Sequence, residues 1–136
     1  MIPAFDQNGF LPPGIHSATL DEFKRRFGRS TELRRVQFDS VRWLLVELKK
    51  LPGVQRIVFN GSFVTDALES NDVDCALLVG PGFPQDSEAE AELLEGLPFL
   101  DIDLVRQDGW DELVAKVFAT DRQRILKGMI EVIQWN

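Results

Sequence analysis

Apolar positions in the first third of the chain follow helical spacing. Phe23 and Phe27 lie one turn apart after the sequence Thr19-Leu20-Asp21-Glu22, a capping box that predicts a helix beginning at Thr19. Gly28 is expected to end this helix. A longer stripe predicts a second helix that begins near Ser30, with its charged residues on the solvent face. The stripe consists of Leu33, Val36, Phe38, Val41, Leu44, Leu45 and Leu48, and the cations are Arg34, Arg35, Arg42, Lys49 and Lys50.

Continuous apolar runs, rather than helical stripes, mark the remainder of the chain. Such runs with turn residues between them predict strands. The predicted strands are Val54–Phe59, Asp72–Val79, Phe99–Arg106 and Gly128–Gln134. Shorter helices are predicted between them at residues 62–68, 86–94 and 111–119. Helices and strands that mix around one small sheet predict an α/β (α+β) fold, a mixed sheet flanked by helices.

The organisation predicted from this pattern is a single domain over residues 1–136. Residues 1–18 are rich in Pro and Gly and form no periodic pattern, so we expect an ordered, extended arm. The N-terminal helices then occupy residues 19–51, and residues 54–136 form the sheet core.

Composition indicates which kinds of binding partner and which cellular location to expect. The net charge of −7 argues against a broad basic face for nucleic acid. Cys75 is the single cysteine, so we expect no disulfide within the chain and a small buried apolar side chain at this position. No apolar stretch is long enough to span a membrane and no signal peptide begins the sequence, which makes the cytoplasm the expected location.

The main candidate for chemistry is Gly61-Ser62, followed after nine residues by Asp72-Val73-Asp74. A glycine lets the backbone approach a ligand closely, and a serine that opens a helix leaves N–H groups free for an anion. Residues i and i+2 of a strand share a face, so Asp72 and Asp74 repel each other unless a proton or a cation lies between them. Mg²⁺ is the expected cation. The plainer interpretation is a common turn followed by two solvated acids at a strand end.

Gly61, Ser62, Asp72 and Asp74 together resemble the signature of the polymerase-β-like nucleotidyltransferase superfamily. The resemblance implies Mg²⁺ at the two aspartates and a nucleoside triphosphate, with ATP the first expectation, whose phosphates bind at Gly61 and Ser62. Almost the whole chain also resembles a short, little-characterised bacterial group within that superfamily. The residues that carry this second likeness are 11–19, 26–28, 60–65 and 127–128.

Members of the superfamily use a third carboxylate on a neighbouring strand. The sequence Ile102-Asp103-Leu104-Val105 matches the superfamily pattern of an apolar residue, an aspartate and then Leu-Val, so the resemblance favours Asp103 as the third metal ligand. Asp101 lies on the same predicted face and is the second choice. Its plainer interpretation is a solvated acid at a strand end.

The resemblance further implies a two-metal reaction. One Mg²⁺ would activate an acceptor hydroxyl, and the other would hold the triphosphate and the pyrophosphate leaving group. The chain lacks the C-terminal helical domain of larger members, so the acceptor would be chosen by the arm, by a second subunit or by a protein partner. A protein side chain, an RNA end and a small molecule all remain candidates for the acceptor.

Two other classes of function remain open. One is a non-catalytic nucleotide-binding or antitoxin-like interaction module on the same fold, since related minimal nucleotidyltransferases often occur in toxin–antitoxin pairs. The other is an unrelated metal-binding α/β domain. His16 is expected to make a structural hydrogen bond, and the remaining candidate cations are expected to be ordinary surface residues. These cations are Arg106, Arg122, Arg124 and Lys127.

Overall fold

The computed structural model describes residues 2–96, 98–113 and 127–135. Helices and strands alternate along these segments, so the predicted α/β class is confirmed. In chain order the elements are β1 Gly14–Ala18, α1 Leu20–Phe27, α2 Glu32–Lys49, β2 Val54–Asn60, a 3₁₀ turn Ser62–Val64, β3 Val73–Val79, α3 Glu88–Glu95, β4 Leu100–Val105, α4 Gln107–Glu112 and β5 Gly128–Val132.

The described strands form one mixed sheet in the order β1-β5-β2-β3-β4. β1 runs parallel to β5, and β3 runs parallel to β4. β2 lies between β5 and β3 and is antiparallel to both. Consequently β2 ends at the same side of the sheet where β1, β3, β4 and β5 begin. We call this side the site end of the sheet.

The predicted start and end of the first helix are confirmed. The Thr19 hydroxyl accepts a hydrogen bond from the Glu22 amide, and the Glu22 carboxylate accepts one from the Thr19 amide at 3.0 Å. The backbone N–H of Gly28 closes the helix by donating to the Lys24 carbonyl. The second helix begins one residue later than predicted, because Thr31 rather than Ser30 caps it.

The two faces of the sheet are covered differently. Helices α1 and α2 pack Phe23, Phe38 and Leu44 against one face, where alternate residues of β3 such as Cys75 and Leu77 point. This burial of Cys75 confirms its predicted role as a small core residue. The opposite face carries a smaller cluster of buried residues, to which α4 contributes Trp110. The cluster consists of Val58, Ala76, Leu78, Trp110 and Met129.

Several sequence expectations are corrected by the structure. Gly14–Ala18, at the end of the predicted arm, is a strand of the sheet. The helix predicted at 62–68 is only the short 3₁₀ turn, because Thr65 has an extended backbone and forms a bridge with Phe10. Arg34 is buried with 2% of its surface exposed, whereas Val36 of the predicted apolar stripe is 42% exposed.

Some predictions fall on residues outside the described part of the chain. They are Arg122, Arg124 and the greater part of the helix predicted at 111–119. The described helix in this region, α4, begins earlier than predicted, at Gln107. Within the described segments, no helix combines the length and the apolar character needed to cross a membrane.

Candidate functional site

The site end of the sheet gathers the residues that the sequence singled out. β2 ends at Asn60 and leads directly into Gly61 and Ser62, while β3 begins just after Asp72. β4 begins beside β3 and carries Asp101 at its second position. A sheet with antiparallel β2 and β3 therefore places the turn and the carboxylates together, although the turn and Asp72 are separated by nine residues in sequence.

Strand register determines which carboxylates face one another. Asp74 of β3 pairs with Asp101 of β4, while Asp103 pairs with Ala76, two residue pairs farther into the sheet. Directly paired residues of neighbouring strands point to the same face. The register thus brings Asp101, the second choice from the sequence, closest to Asp74.

Gly61 lies directly against the Asp74 side chain. Its backbone angles, φ 76° and ψ −164°, belong to a region that only glycine adopts readily. A Cβ at this position would overlap Asp74 Oδ2 and would stand 3.1 Å from Cγ. The absence of a side chain at residue 61 is therefore what allows the turn and the carboxylate to touch.

The carboxylates at the site end favour a proton or a cation between them. Burial raises the pKa of Asp74 to about 6, and the negative charges of Asp101 and Asp72 act in the same direction. The Lys127 ammonium opposes them by lowering the pKa of Asp74. Burial, followed by the charge of Asp101, also raises the pKa of Asp103.

This raised pKa predicts a pH dependence of stability. Because the pKa of Asp74 rises from 3.8 to about 6 on folding, the folded state keeps a proton that the unfolded state has lost, and stability falls as pH rises through this interval. Between pH 5 and pH 7.5 in EDTA, the free energy of unfolding of the wild type should fall by about 1 kcal/mol more than that of Asp74→Asn. Urea denaturation at the two pH values measures this, and identical pH profiles for the two proteins would contradict it.

A chain of hydrogen bonds connects the turn to the aspartate segment through Ser70. The Ser70 hydroxyl donates to the Asp72 carbonyl at 2.8 Å and lies 2.7 Å from the Ser62 hydroxyl. Ser70 has a single hydroxyl proton, so Ser62 must be the donor in the bond between them. The Gln37 side-chain amide donates to the Ser70 carbonyl. Ser70 is not among the site residues predicted from the sequence, although its position just before Asn71-Asp72 suits a turn residue.

Arg34 holds the segment that follows the turn. Its five N–H groups lie within hydrogen-bond distance of five backbone carbonyls, with one N–H of Nη2 shared between two of them, and the guanidinium lies 5.0 Å from the centroid of the Phe63 ring. The accepting carbonyls are those of Phe27, Ser62, Phe63, Thr65 and Ala67. The sequence offered a signal for this burial, since Arg34 precedes Phe38, Val41 and Leu45 at helical spacing, but the charge led us to expect a surface position.

A family model matches nearly the entire chain, over residues 3–133, and is described as a family of unknown function, DUF6932. The chain belongs to this family. No curated protein matches it. A crystal structure of a "putative nucleotidyltransferase" from Sulfolobus solfataricus is similar at 14% identity and a TM-score of 0.42, covering 80% of this chain and 93% of that chain. A similarity of this size supports no functional argument, so function must be argued from the side chains of this family member.

The carboxylates at the site end supply some, but not all, of the ligands that a divalent cation needs. Among the described residues, no group of three acidic, histidine or cysteine side chains is placed to hold a metal ion. The Asp74–Asp101 pair, by contrast, has the oxygen donors that Mg²⁺ prefers, and a cation could replace the proton that the raised pKa indicates. A third oxygen would have to come from Asp72, from Asp103 or from a bound phosphate.

Of the predicted accessory residues, His16 behaves as expected: its Nε2 lies 2.7 Å from the Pro12 carbonyl.

A separate groove of about 620 Å³ lies along α1 and α2 and shares no residue with the site end. Its charged lining residues are Lys24, Arg29, Arg35, Arg42, Glu32 and Asp39. Cations therefore outnumber acids in this groove by four to two.

Proposed function

We propose that this protein is a Mg²⁺-dependent nucleotidyltransferase. It would transfer a nucleoside monophosphate from a nucleoside triphosphate to an acceptor hydroxyl and release pyrophosphate. The observation that supports this most is the contact of the glycine turn with an in-register carboxylate pair, Gly61 against Asp74 and Asp74 opposite Asp101. A turn that offers N–H groups beside paired carboxylates suits a phosphate chain bound together with a metal ion.

Each group has a separate task in this proposal. Asp74 and Asp101, with Asp72 beside them, would hold the cation, and Asp103 would lie two residue pairs farther into the sheet. Bound Mg²⁺ would neutralise the phosphates and polarise the transferred phosphoryl group. Gly61 and Ser62 would bind phosphate oxygens through backbone N–H groups, because the Ser62 hydroxyl proton is directed to Ser70 in this arrangement.

Substituting the carboxylates singly tests the proposal. Asp72→Asn and Asp74→Asn should abolish detectable Mn²⁺-dependent binding of a nonhydrolysable ATP analogue, because each removes a charged oxygen donor. Asp101→Asn should weaken binding more than Asp103→Asn, since Asp101 is the register partner of Asp74. Isothermal titration calorimetry measures both. Asp108→Asn, at an exposed acid in the first turn of α4, serves as the control.

Two outcomes would contradict parts of the proposal. Wild-type binding in both the Asp72 and Asp74 variants would exclude the metal site altogether. A larger loss in Asp103→Asn than in Asp101→Asn would restore the choice that the sequence favoured. Nucleotidyl transfer is then measured as pyrophosphate release. ATP is tested first, in the presence of candidate protein, RNA and small-molecule acceptors.

A non-catalytic nucleotide-binding or antitoxin-like module is the second candidate function. The observation that favours it is the raised pKa of Asp74 opposite Asp101, because a proton on this carboxyl relieves the repulsion of the pair without a metal. This candidate predicts nucleotide or protein-partner binding that is unchanged in EDTA, without pyrophosphate release. Metal-dependent pyrophosphate release that is lost in Asp74→Asn would exclude it.

A further inference from the structure

Charge is distributed asymmetrically across the site end of the sheet. The acids Asp74 and Asp101 lie on β3 and β4. The other side of the turn, where β2 ends and β5 begins, carries an amide at Asn60 and a cation at Lys127, the residue before Gly128. A phosphate chain needs donors and positive charge along its length, which the acidic strands cannot supply.

Lys127 is held in place rather than extended freely into solvent. Its side chain is half-buried, and its ammonium lies 5.8 Å from the centroid of the Phe10 ring. Phe10 pairs with Thr65 as an isolated bridge, just after the turn. The next residue of the arm, Leu11, accepts a 2.9 Å hydrogen bond from the Gly128 amide. The arm therefore ties Lys127 to the segment that follows Ser62.

Asn60 carries a buried donor that has no acceptor among the residues that the structure describes. Its side chain is 4% exposed, and no described residue accepts a hydrogen bond from its Nδ2 group. Asn60 pairs with Asp74 across β2 and β3 and so points to the face that carries the carboxylates. A buried donor is normally paired, so an unpaired amide in this place indicates a ligand that supplies the missing oxygen.

We propose that Lys127 and Asn60 form the phosphate-binding side of the site and contact the polyphosphate chain of the nucleotide. This inference rests on the proposed function and adds to it two residues that the Gly-Ser and Asp-x-Asp motifs do not contain. Lys127 supplies a point charge for the phosphates, and Asn60 donates one hydrogen bond to a phosphate oxygen. The carboxylates then face the metal while the opposite side of the turn faces the anion.

The test separates anion binding from metal binding by using two probes. Inorganic tripolyphosphate in excess Mg²⁺ reports the phosphate side, and Mn²⁺ alone reports the carboxylates. Lys127→Met should weaken tripolyphosphate binding at least tenfold, while Lys127→Arg should retain most of it. Mn²⁺ binding should weaken far less than tripolyphosphate binding in Lys127→Met, because the lost ammonium lowered the pKa of Asp74 but also repelled the cation. Lys49→Met, at an exposed cation that ends α2, is the matched control and should bind both probes like the wild type.

Asn60→Leu distinguishes a binding role from a structural one. The substitution keeps the side-chain size and removes an unpaired polar group, so the thermal midpoint should stay the same or rise. Tripolyphosphate binding should nevertheless weaken several-fold. A lower thermal midpoint together with unchanged tripolyphosphate binding would assign Asn60 to the fold and overturn its part of the proposal.

The failure of this inference is distinguishable from failure of the proposed function. If the wild type binds Mn²⁺ and tripolyphosphate, and both probes bind equally well to Lys127→Met, the phosphate side is misassigned while the nucleotidyltransferase proposal stands. If the wild type binds Mn²⁺ but no tripolyphosphate, the phosphate side is likewise excluded. If the wild type binds neither probe nor any nucleoside triphosphate, both proposals fail.

Discussion

Arg34→Met should lower the free energy of unfolding by at least about 3 kcal/mol. The methionine fills most of the space of the arginine stem, but it removes a donor from five buried or half-buried carbonyls, of which that of Ser62 keeps the amide and hydroxyl of Thr65. Each unsatisfied buried carbonyl costs about 1–3 kcal/mol, and part of this cost is relieved when water enters the loosened segment. The segment 62–67 should therefore open first.

Urea denaturation measures the loss, and hydrogen exchange at 62–67 locates it. Arg35→Met is the matched control, because the neighbouring Arg35 pairs with Glu32 at 3.1 Å on the surface and both side chains are exposed. Such a pair contributes at most about 1 kcal/mol. Arg34→Lys should lie between the two, since lysine keeps the charge but has no planar fork of donors. Equal stability of the two methionine variants would show that the Arg34 contacts are not structural.

Gly61→Ala should abolish detectable metal-dependent nucleotide binding. The methyl group would occupy the space of Asp74 Oδ2, so the carboxylate or the turn must move. The backbone at residue 61 is also unfavourable for alanine, by about 1–3 kcal/mol. Both effects act on the contact that joins the turn to the carboxylate pair, so we expect a larger loss of binding than of stability.

Gly14→Ala separates the cost of the backbone conformation from the steric overlap with Asp74. Gly14 also has a positive φ, 115°, but nothing lies within 4 Å of a Cβ at that position. This variant should lose stability through the backbone alone and should bind the ATP analogue like the wild type. Calorimetry for binding and thermal denaturation for stability give both readouts. Normal binding in Gly61→Ala would show that the contact with Asp74 is not needed.

Local sequence patterns were sufficient to predict the start of the first helix and to bring forward Asp72 and Asp74 as a candidate pair. The capping box at Thr19 depends on residues three apart, and its bonds form as predicted. The shared face of Asp72 and Asp74 follows from strand alternation alone. These features need no knowledge of which strands become neighbours.

Contacts between distant segments could not be predicted in the same way. The choice between Asp101 and Asp103 depends on the register of β3 and β4, and a shift of two residues would exchange their roles. The burial of Arg34 depends on carbonyls about 30 residues away that turn inward after the 3₁₀ turn. The strand Gly14–Ala18 depends on β5, which comes more than 100 residues later. Sequence periodicity carries no information about such pairings.

The position of β4 gives its carboxylates a consequence beyond ligand binding. Among the described strands, β4 lies at one edge of the sheet, where unpaired backbone groups can recruit a strand from another molecule. Asp101 and Asp103 are both exposed along this edge. Repulsion between these charges on different molecules opposes edge-to-edge association, so the two aspartates also help to keep the protein from aggregating.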